Sequence, residues 1–205
     1  MNLPNKLTIM RIIMIPVFLL LSAELPESLN VFGLPVPLGA AFLPYNAFVR
    51  DYGHIASGVI FAAACATDAL DGYIARKYKL VTDMGIFLDP IADKLLVTAA
   101  LIILTSKGII GVWIPAIIIS REFIVTGLRL LASNKGITLA AGGLGKAKMI
   151  FQTAALILLI FRNFQIRLLE TVDAGGVLMF AALVLTIASG VDYIYKNRSL
   201  FRAPG

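Results

Sequence analysis

Six stretches of the chain are almost continuously apolar, and polar, basic or Gly- and Pro-rich breaks separate them. The first apolar run ends near Ala23 and follows a mixed opening, MNLPNKLTIM, whose turn-prone Pro4-Asn5 suits a short N-terminal interfacial segment. Pro16 inside that run predicts a bend, tolerable in a membrane where neighbours satisfy the freed backbone groups. Further runs cover about Tyr52 to Ala75, Gly85 to Thr105 and Val112 to Leu131, a fifth that Gly145-Lys146-Ala147-Lys148 leads into and that ends near Phe161, and a sixth from about Gly175 to Tyr195. Roughly 20 residues cross a bilayer core. The pattern therefore predicts an all-α, polytopic membrane protein with six transmembrane helices, organised as a single membrane domain over residues 1–205.

The breaks are equally legible. Residues 24–50, interrupted by Pro, Gly and Asn, read as a long connection that lies partly on the membrane surface. Ser106-Lys107-Gly108 marks a turn, and Asn134-Lys135-Gly136 with Gly142-Gly143 marks a loop. The run GGLGK lacks the spacing and the following Ser or Thr of a phosphate-binding P-loop, and reads as a flexible loop. No small-residue cleavage site follows the first apolar run, which is accordingly read as a retained helix. The two halves of the chain show no internal repeat, which weakens a transporter built from related halves around a midplane site.

Composition agrees with this picture. The chain of 205 residues is 59% hydrophobic, far above an ordinary soluble domain. Its net charge of +6 would raise the question of nucleic acid in a soluble protein. Here the basic residues gather between apolar runs, so anionic membrane phospholipids are the expected partner and no nucleic acid is. Of the eighteen Lys and Arg, twelve fall on the side that six spans assign to both termini, four on the other, and Lys94 and Arg121 lie inside runs. This bias predicts a multi-pass protein of the cell (cytoplasmic, or inner) membrane with cytoplasmic termini. Arg11, one turn into the first run, is expected near the lipid phosphates. Cys65, the only cysteine, is expected to pack as a small apolar residue.

The candidate chemistry lies in DALDGYIARKYKLVTDMGIFLDPIAD, residues 68–93. Asp68 and Asp71 are three apart and Asp89 and Asp93 four apart, so on two helices each pair projects from one face. At bilayer depth four carboxylates would cost on the order of 10 kcal/mol if uncompensated. Hard cations together with a phosphorylated ligand compensate them, so the pattern points to a divalent-metal site. On the cytoplasmic half, such a site has access to soluble nucleotides and phosphates.

The segment reads D-x2-D-G-x2-A-R-x8-G-x3-D-x3-D, with Asp68, Asp71, Gly72, Ala75, Arg76, Gly85, Asp89 and Asp93 at its defined positions. It resembles the CDP-alcohol phosphotransferase family at every one of them. The resemblance implies six transmembrane helices, with the motif spanning the second and third, and a reaction in which an alcohol hydroxyl attacks the lipid-bearing phosphorus of a CDP-linked donor and CMP leaves. It implies Asp68, Asp71 and Asp89 as ligands to two divalent ions, Mg²⁺ or Mn²⁺, that clamp the diphosphate. Asp93 is expected as general base for the acceptor hydroxyl, with a second role as metal ligand. Gly72 and Gly85 leave space for the cytidine, Ala75 occupies a motif position beside them, Arg76 matches the diphosphate with its planar fork, and Thr82 resembles a nucleotide contact.

The acceptor is read from elsewhere. Arg121, Arg129, Lys146 and Lys148 supply positive charge beyond what the diphosphate needs, which fits a phosphorylated acceptor. The segments NLPNKLTIMR, SREFIVTGLR and GKAK resemble a bacterial branch of the family that uses CDP-diacylglycerol and sn-glycerol 3-phosphate. Relatives often read Ile-Lys-Thr where this chain has Ala147-Lys148-Met149, which removes one hydroxyl contact. Adjacent helical positions point apart, so Arg121 and Glu122 need not bind each other, although Glu122 can pair with other basic residues. The resemblance implies a homodimer. Another acceptor, such as inositol phosphate or serine, and a metal or ion transporter whose aspartates conduct rather than catalyse, are the alternatives.

Overall fold

The computed structural model describes residues 3–26, 28–31, 34–37, 39–78, 83–134, 142–161 and 173–198. Six helices form among them: α1 Leu3–Ser22, α2 Gly39–Tyr78, α3 Asp83–Ser106, α4 Trp113–Asn134, α5 Gly143–Ile160 and α6 Ala174–Lys196. A small antiparallel hairpin joins α1 to α2, with β1 Ser28–Val31 paired to β2 Leu34–Pro37 in the register Ser28 opposite Pro37. The architecture is all-α apart from that hairpin. Among the described residues α5 and α6 are long and apolar enough to cross a membrane.

Two expectations change. The connection predicted over residues 24–50 is in part helix, because α2 begins at Gly39 and continues through Pro44. Its 40 residues correspond to about 60 Å, twice the thickness of a bilayer core. The pattern of apolar runs missed this segment because its helical signal is a stripe. Asn46, Val49 and Gly53 are buried at spacings of three and four, while Leu43, Phe48 and Tyr52 are exposed. The opening of the chain is likewise no separate segment, since α1 runs unbroken from Leu3 through Pro16. Pro4 sits in the first turn, where a missing N–H has no intrahelical partner to lose.

The chain divides into two compact units: Met1–Ile103 with Ile160–Arg162, and Leu104–Leu159 with Asn163–Gly205. In the first, α1 lies antiparallel along α2. The buried positions of α1 are Thr8, Arg11, Ile15, Phe18 and Ser22, a strict alternation of three and four. Facing them, α2 buries Asn46, Val49, Gly53, Ser57, Phe61 and Ala64. This is the seam spacing of paired helices that interlock side chains. Phe18 and Phe61 meet at its centre with ring centroids 5.8 Å apart. At one end Asn46 bonds both the backbone N–H and the carbonyl of Leu25 at 2.9 Å, and the Tyr45 hydroxyl donates to the carbonyls of Leu20 and Ala23. Those groups follow the C-terminus of α1, where backbone carbonyls have no helical partner.

In the second unit α4 and α6 run parallel. Val125 and Leu128 of α4 pack with Tyr193 of α6. The buried face of α6 is Gly175, Met179, Ala182, Thr186, Ser189, Gly190 and Tyr193. Its hydroxyls are satisfied within the helix, Thr186 donating to the Ala182 carbonyl at 2.6 Å and Ser189 to the Thr186 carbonyl at 3.1 Å. Asp173 caps the N-terminus of α6, accepting from Gly176 N–H at 3.0 Å. The turn predicted at Ser106-Lys107-Gly108 is present, with Gly108 at φ +69°, the left-handed region that favours glycine, and its N–H bonded to the Thr105 carbonyl at 2.9 Å.

At Gly53 α1 and α2 approach closely. A Cβ there would fall 2.6 Å from the Leu21 carbonyl oxygen, a backbone atom that cannot move aside locally. Gly53→Ala should destabilise the protein by about 1–3 kcal/mol, lowering the melting temperature in detergent by several degrees. Gly127→Ala is the control, since a Cβ there meets nothing within 4 Å and raises helix propensity. It should leave the melting temperature unchanged or higher.

Candidate active site

The two aspartate pairs occupy matched depths on consecutive helices. Asp68 lies ten residues before the end of α2 at Tyr78, and Asp93 ten residues after the start of α3 at Asp83. Asp71 and Asp89 lie seven and six residues from the same ends. At 1.5 Å per residue the outer pair sits about 15 Å, and the inner pair about 10 Å, from the link between the helices. Asp68, Asp93 and Arg11 all lie near enough to act electrostatically on the Cys65 thiol. Cys65, expected merely to pack, is half-buried beside the two carboxylates. The side chains of Asp71, Gly72, Ala75, Arg76, Gly85 and Asp89, and the whole of Thr82, lie outside the described residues. Among the described residues no group of three His, Cys, Asp or Glu gathers as a metal cage.

Arg11 is a correction. Instead of reaching lipid phosphates, its side chain is fully buried and its Nη1 sits 2.6 Å from Asp68 Oδ1. A guanidinium removed from water needs a carboxylate partner, because an unpaired buried charge is far costlier than a paired one. The Asp68 side chain remains 30% exposed. A carboxylate has about four lone-pair sites, so the pair leaves Asp68 with capacity for a further ligand. The carboxylates of Asp68 on α2 and Asp93 on α3 are hard-oxygen donors, the kind that suits Mg²⁺ or Mn²⁺. The signal for Arg11 was present in the sequence: the spacing Thr8, Arg11, Ile15, Phe18 puts it on the packing stripe of α1.

The second unit assembles a cationic cluster. Glu122 on α4 accepts from Lys148 Nζ on α5 at 2.5 Å and from Arg121 Nη1 at 3.1 Å. Adjacent residues thus do meet, contrary to the helical-face argument, because the long Arg121 side chain curls back to a carboxylate that Lys148 already holds. Arg121 Nη2 also donates to Ser189 Oγ of α6 at 3.1 Å, a contact no sequence spacing announces. Gly190 makes room for the Arg121 stem, since a Cβ there would lie 3.1 Å from Cγ, whereas one on Gly145 would meet Nη2 at an ordinary contact distance of 3.8 Å.

The four expected acceptor residues separate by burial. Lys148 is buried and Arg121 half-buried, whereas Lys146 and Arg129 are exposed. Arg129 Nε donates to the Tyr193 hydroxyl at 3.3 Å, and its guanidinium lies 5.7 Å from the centre of that ring. GGLGK is also corrected: Gly143-Leu144-Gly145-Lys146 forms the first turn of α5, with Gly145 and Lys146 N–H groups bonded to the Gly142 carbonyl at 3.1 and 3.3 Å. Arg121 and Lys148 balance one carboxylate with two cations, leaving an excess positive charge in a largely desolvated setting that suits an anion.

Removing the Asp68 charge deprives a fully buried guanidinium of the carboxylate 2.6 Å from it, so Asp68→Asn should destabilise the protein by about 3 kcal/mol. Combining it with Arg11→Met should restore most of that loss, and a double-mutant cycle of unfolding in detergent measures the coupling. Strictly additive losses would mean that the pair carries no coupling energy.

The chain was compared with known proteins. The family model described as CDP-alcohol phosphatidyltransferase matches residues 1–188, which runs through both compact units. A Bacillus subtilis (strain 168) protein named CDP-diacylglycerol–glycerol-3-phosphate 3-phosphatidyltransferase is 40% identical over 196 residues, 96% of this chain and 95% of its own length. A protein of the same name from Rickettsia felis is 34% identical over 200 residues, 98% of this chain and 97% of its own. With the aspartate motif on consecutive helices and relatives matched along nearly their whole length, the chain belongs to the CDP-alcohol phosphatidyltransferase family.

Proposed function

We propose that this membrane protein is a phosphatidylglycerophosphate synthase, transferring the phosphatidyl group of CDP-diacylglycerol to sn-glycerol 3-phosphate with release of CMP. The observation that carries this reading is the placement of the aspartate motif on consecutive helices, Asp68 and Asp71 on α2 and Asp89 and Asp93 on α3, in a chain whose relatives, matched along nearly their whole length, bear that enzyme name. The whole of residues 1–205 acts as one catalytic domain, in line with a family match that crosses both compact units.

Asp68, Asp71, Asp89 and Asp93 would hold divalent ions, Mg²⁺ or Mn²⁺, on which the family generally depends. When bound, the ions neutralise charge on the diphosphate. Gly72, Ala75, Arg76, Thr82 and Gly85 receive the CDP moiety, Arg76 through its planar fork. Asp93 takes the proton from the acceptor hydroxyl as its oxygen forms a bond to the phosphatidyl phosphorus. The bond from that phosphorus to the CMP oxygen breaks, and CMP leaves with the electron pair. The acceptor phosphate is held by Arg121 and Lys148, with Arg129 and Lys146 adding charge from exposed positions.

The protein crosses the cell membrane six times with its termini and active site facing the cytoplasm, as the excess of Lys and Arg on that side supports. It works as a homodimer among anionic phospholipids, as the family resemblance implies.

A CMP-release assay with CDP-diacylglycerol and Mg²⁺ or Mn²⁺ tests reaction and acceptor together. Glycerol 3-phosphate should support turnover and serine or inositol phosphate should not; the reverse result would replace the acceptor. Asp93→Asn should abolish turnover while retaining donor binding, and Asp68→Ala should lose metal and donor together. Metal flux into proteoliposomes without CMP release, or full activity in Asp93→Asn, would point to a transporter instead. Arg121→Ala should raise the KM for glycerol 3-phosphate with a smaller change in kcat, and an unchanged KM would remove Arg121 from the acceptor site.

A further inference from the structure

One turn beyond Lys148 on α5 lies Gln152, which is 4% exposed. Its Oε1 is buried with no hydrogen-bond partner among the described residues. Buried polar atoms are nearly always paired, and one left without a donor retains the desolvation cost of its removal from water. Residues four apart share a helix face, so Gln152 stands on the face from which Lys148 reaches Glu122. Further along that face the buried residues are Ala155, Leu156 and Leu159, which offer only carbon. Gln152 thus marks the floor of the cationic cluster, where charge gives way to apolar packing.

The chemistry of the orphan atom narrows its ligand. An amide oxygen accepts hydrogen bonds and repels the oxygens of a phosphate, so its partner is an O–H or N–H donor. Lys148, one turn away on α5, and Arg121, which shares Glu122 with it, suit the phosphate of the same molecule. The two subsites are separated by about 6 Å along the helix, a span comparable to that from a phosphate to a hydroxyl on a neighbouring carbon of a short polyol. Met149, the next residue after Lys148, offers no hydroxyl of its own on this helix.

We propose that Gln152 is the specificity residue of the acceptor pocket, accepting a hydrogen bond from the non-reacting hydroxyl of a phosphorylated polyol whose phosphate is bound by Arg121 and Lys148. This rests on the acceptor reading above and names the group that distinguishes a polyol phosphate from a simple hydroxyalkyl phosphate. A site built to bond a hydroxyl discriminates strongly against the analogue that lacks it, because its own polar group is then left unpaired.

The test compares sn-glycerol 3-phosphate with propane-1,3-diol phosphate, which keeps the phosphate and the terminal hydroxyl but lacks the middle one. The full-length parent protein should favour glycerol 3-phosphate at least 10-fold in kcat/KM. In Gln152→Leu and Gln152→Met, both apolar and of similar volume, kcat/KM for glycerol 3-phosphate should fall about 10- to 100-fold, while propanediol phosphate is used as by the parent. Arg121→Ala should weaken both acceptors alike, since both carry the phosphate. An unchanged preference in both Gln152 variants, or an equal loss with both acceptors, overturns the role of Gln152. Failure of the parent to use either compound overturns the acceptor reading itself, and this proposal with it.

Discussion

Arg11 enters the seam between α1 and α2 with its side chain wholly removed from solvent, and that burial constrains everything packed around it. A guanidinium in such a place is stable only beside a carboxylate, and Asp68 Oδ1 at 2.6 Å supplies one. The pair sets the register of α1 against α2 at one end of the seam, as Asn46 and Tyr45 do at the other. From Asn46 to Asp68 is 22 residues, about 33 Å along the helix, close to the thickness of a bilayer core. Polar locks thus close both ends of a helix pair whose middle is held by Phe18 against Phe61 and by the close approach at Gly53.

The same pair orients a carboxylate of the family motif. Asp68 is held from α1 on one oxygen while the side chain keeps partial access to solvent. The helix that carries no motif residue therefore helps to shape the motif. The family match accordingly begins at residue 1 and includes this helix. The pair also links stability to function, since the charge that would bind a cation is the charge that keeps Arg11 satisfied.

The two compact units treat charge in complementary ways. In the first, carboxylates outnumber the cation beside them, with Asp68 and Asp93 near Arg11. In the second, Arg121 and Lys148 outnumber Glu122. Among the described residues each cluster sets an opposite charge among like ones, which lowers the cost of gathering them where water is scarce.

Helix number and type followed from the chain itself, because an apolar run of roughly twenty residues has little choice of structure in lipid. The motif and its placement on consecutive helices were legible for the same reason, since spacings of three and four define a helix face. Residues 39–51 were not, because their helix shows only as a buried stripe against α1 and contains Pro44. Nor was the partner of Arg11: the chain shows a basic residue at the edge of an apolar run, but which carboxylate it meets depends on the antiparallel register of two helices. The Arg121–Ser189 contact joins residues 68 apart in sequence. Local spacing thus determined the elements and their faces, and only packing decided which faces meet, because that choice belongs to long-range burial and charge pairing.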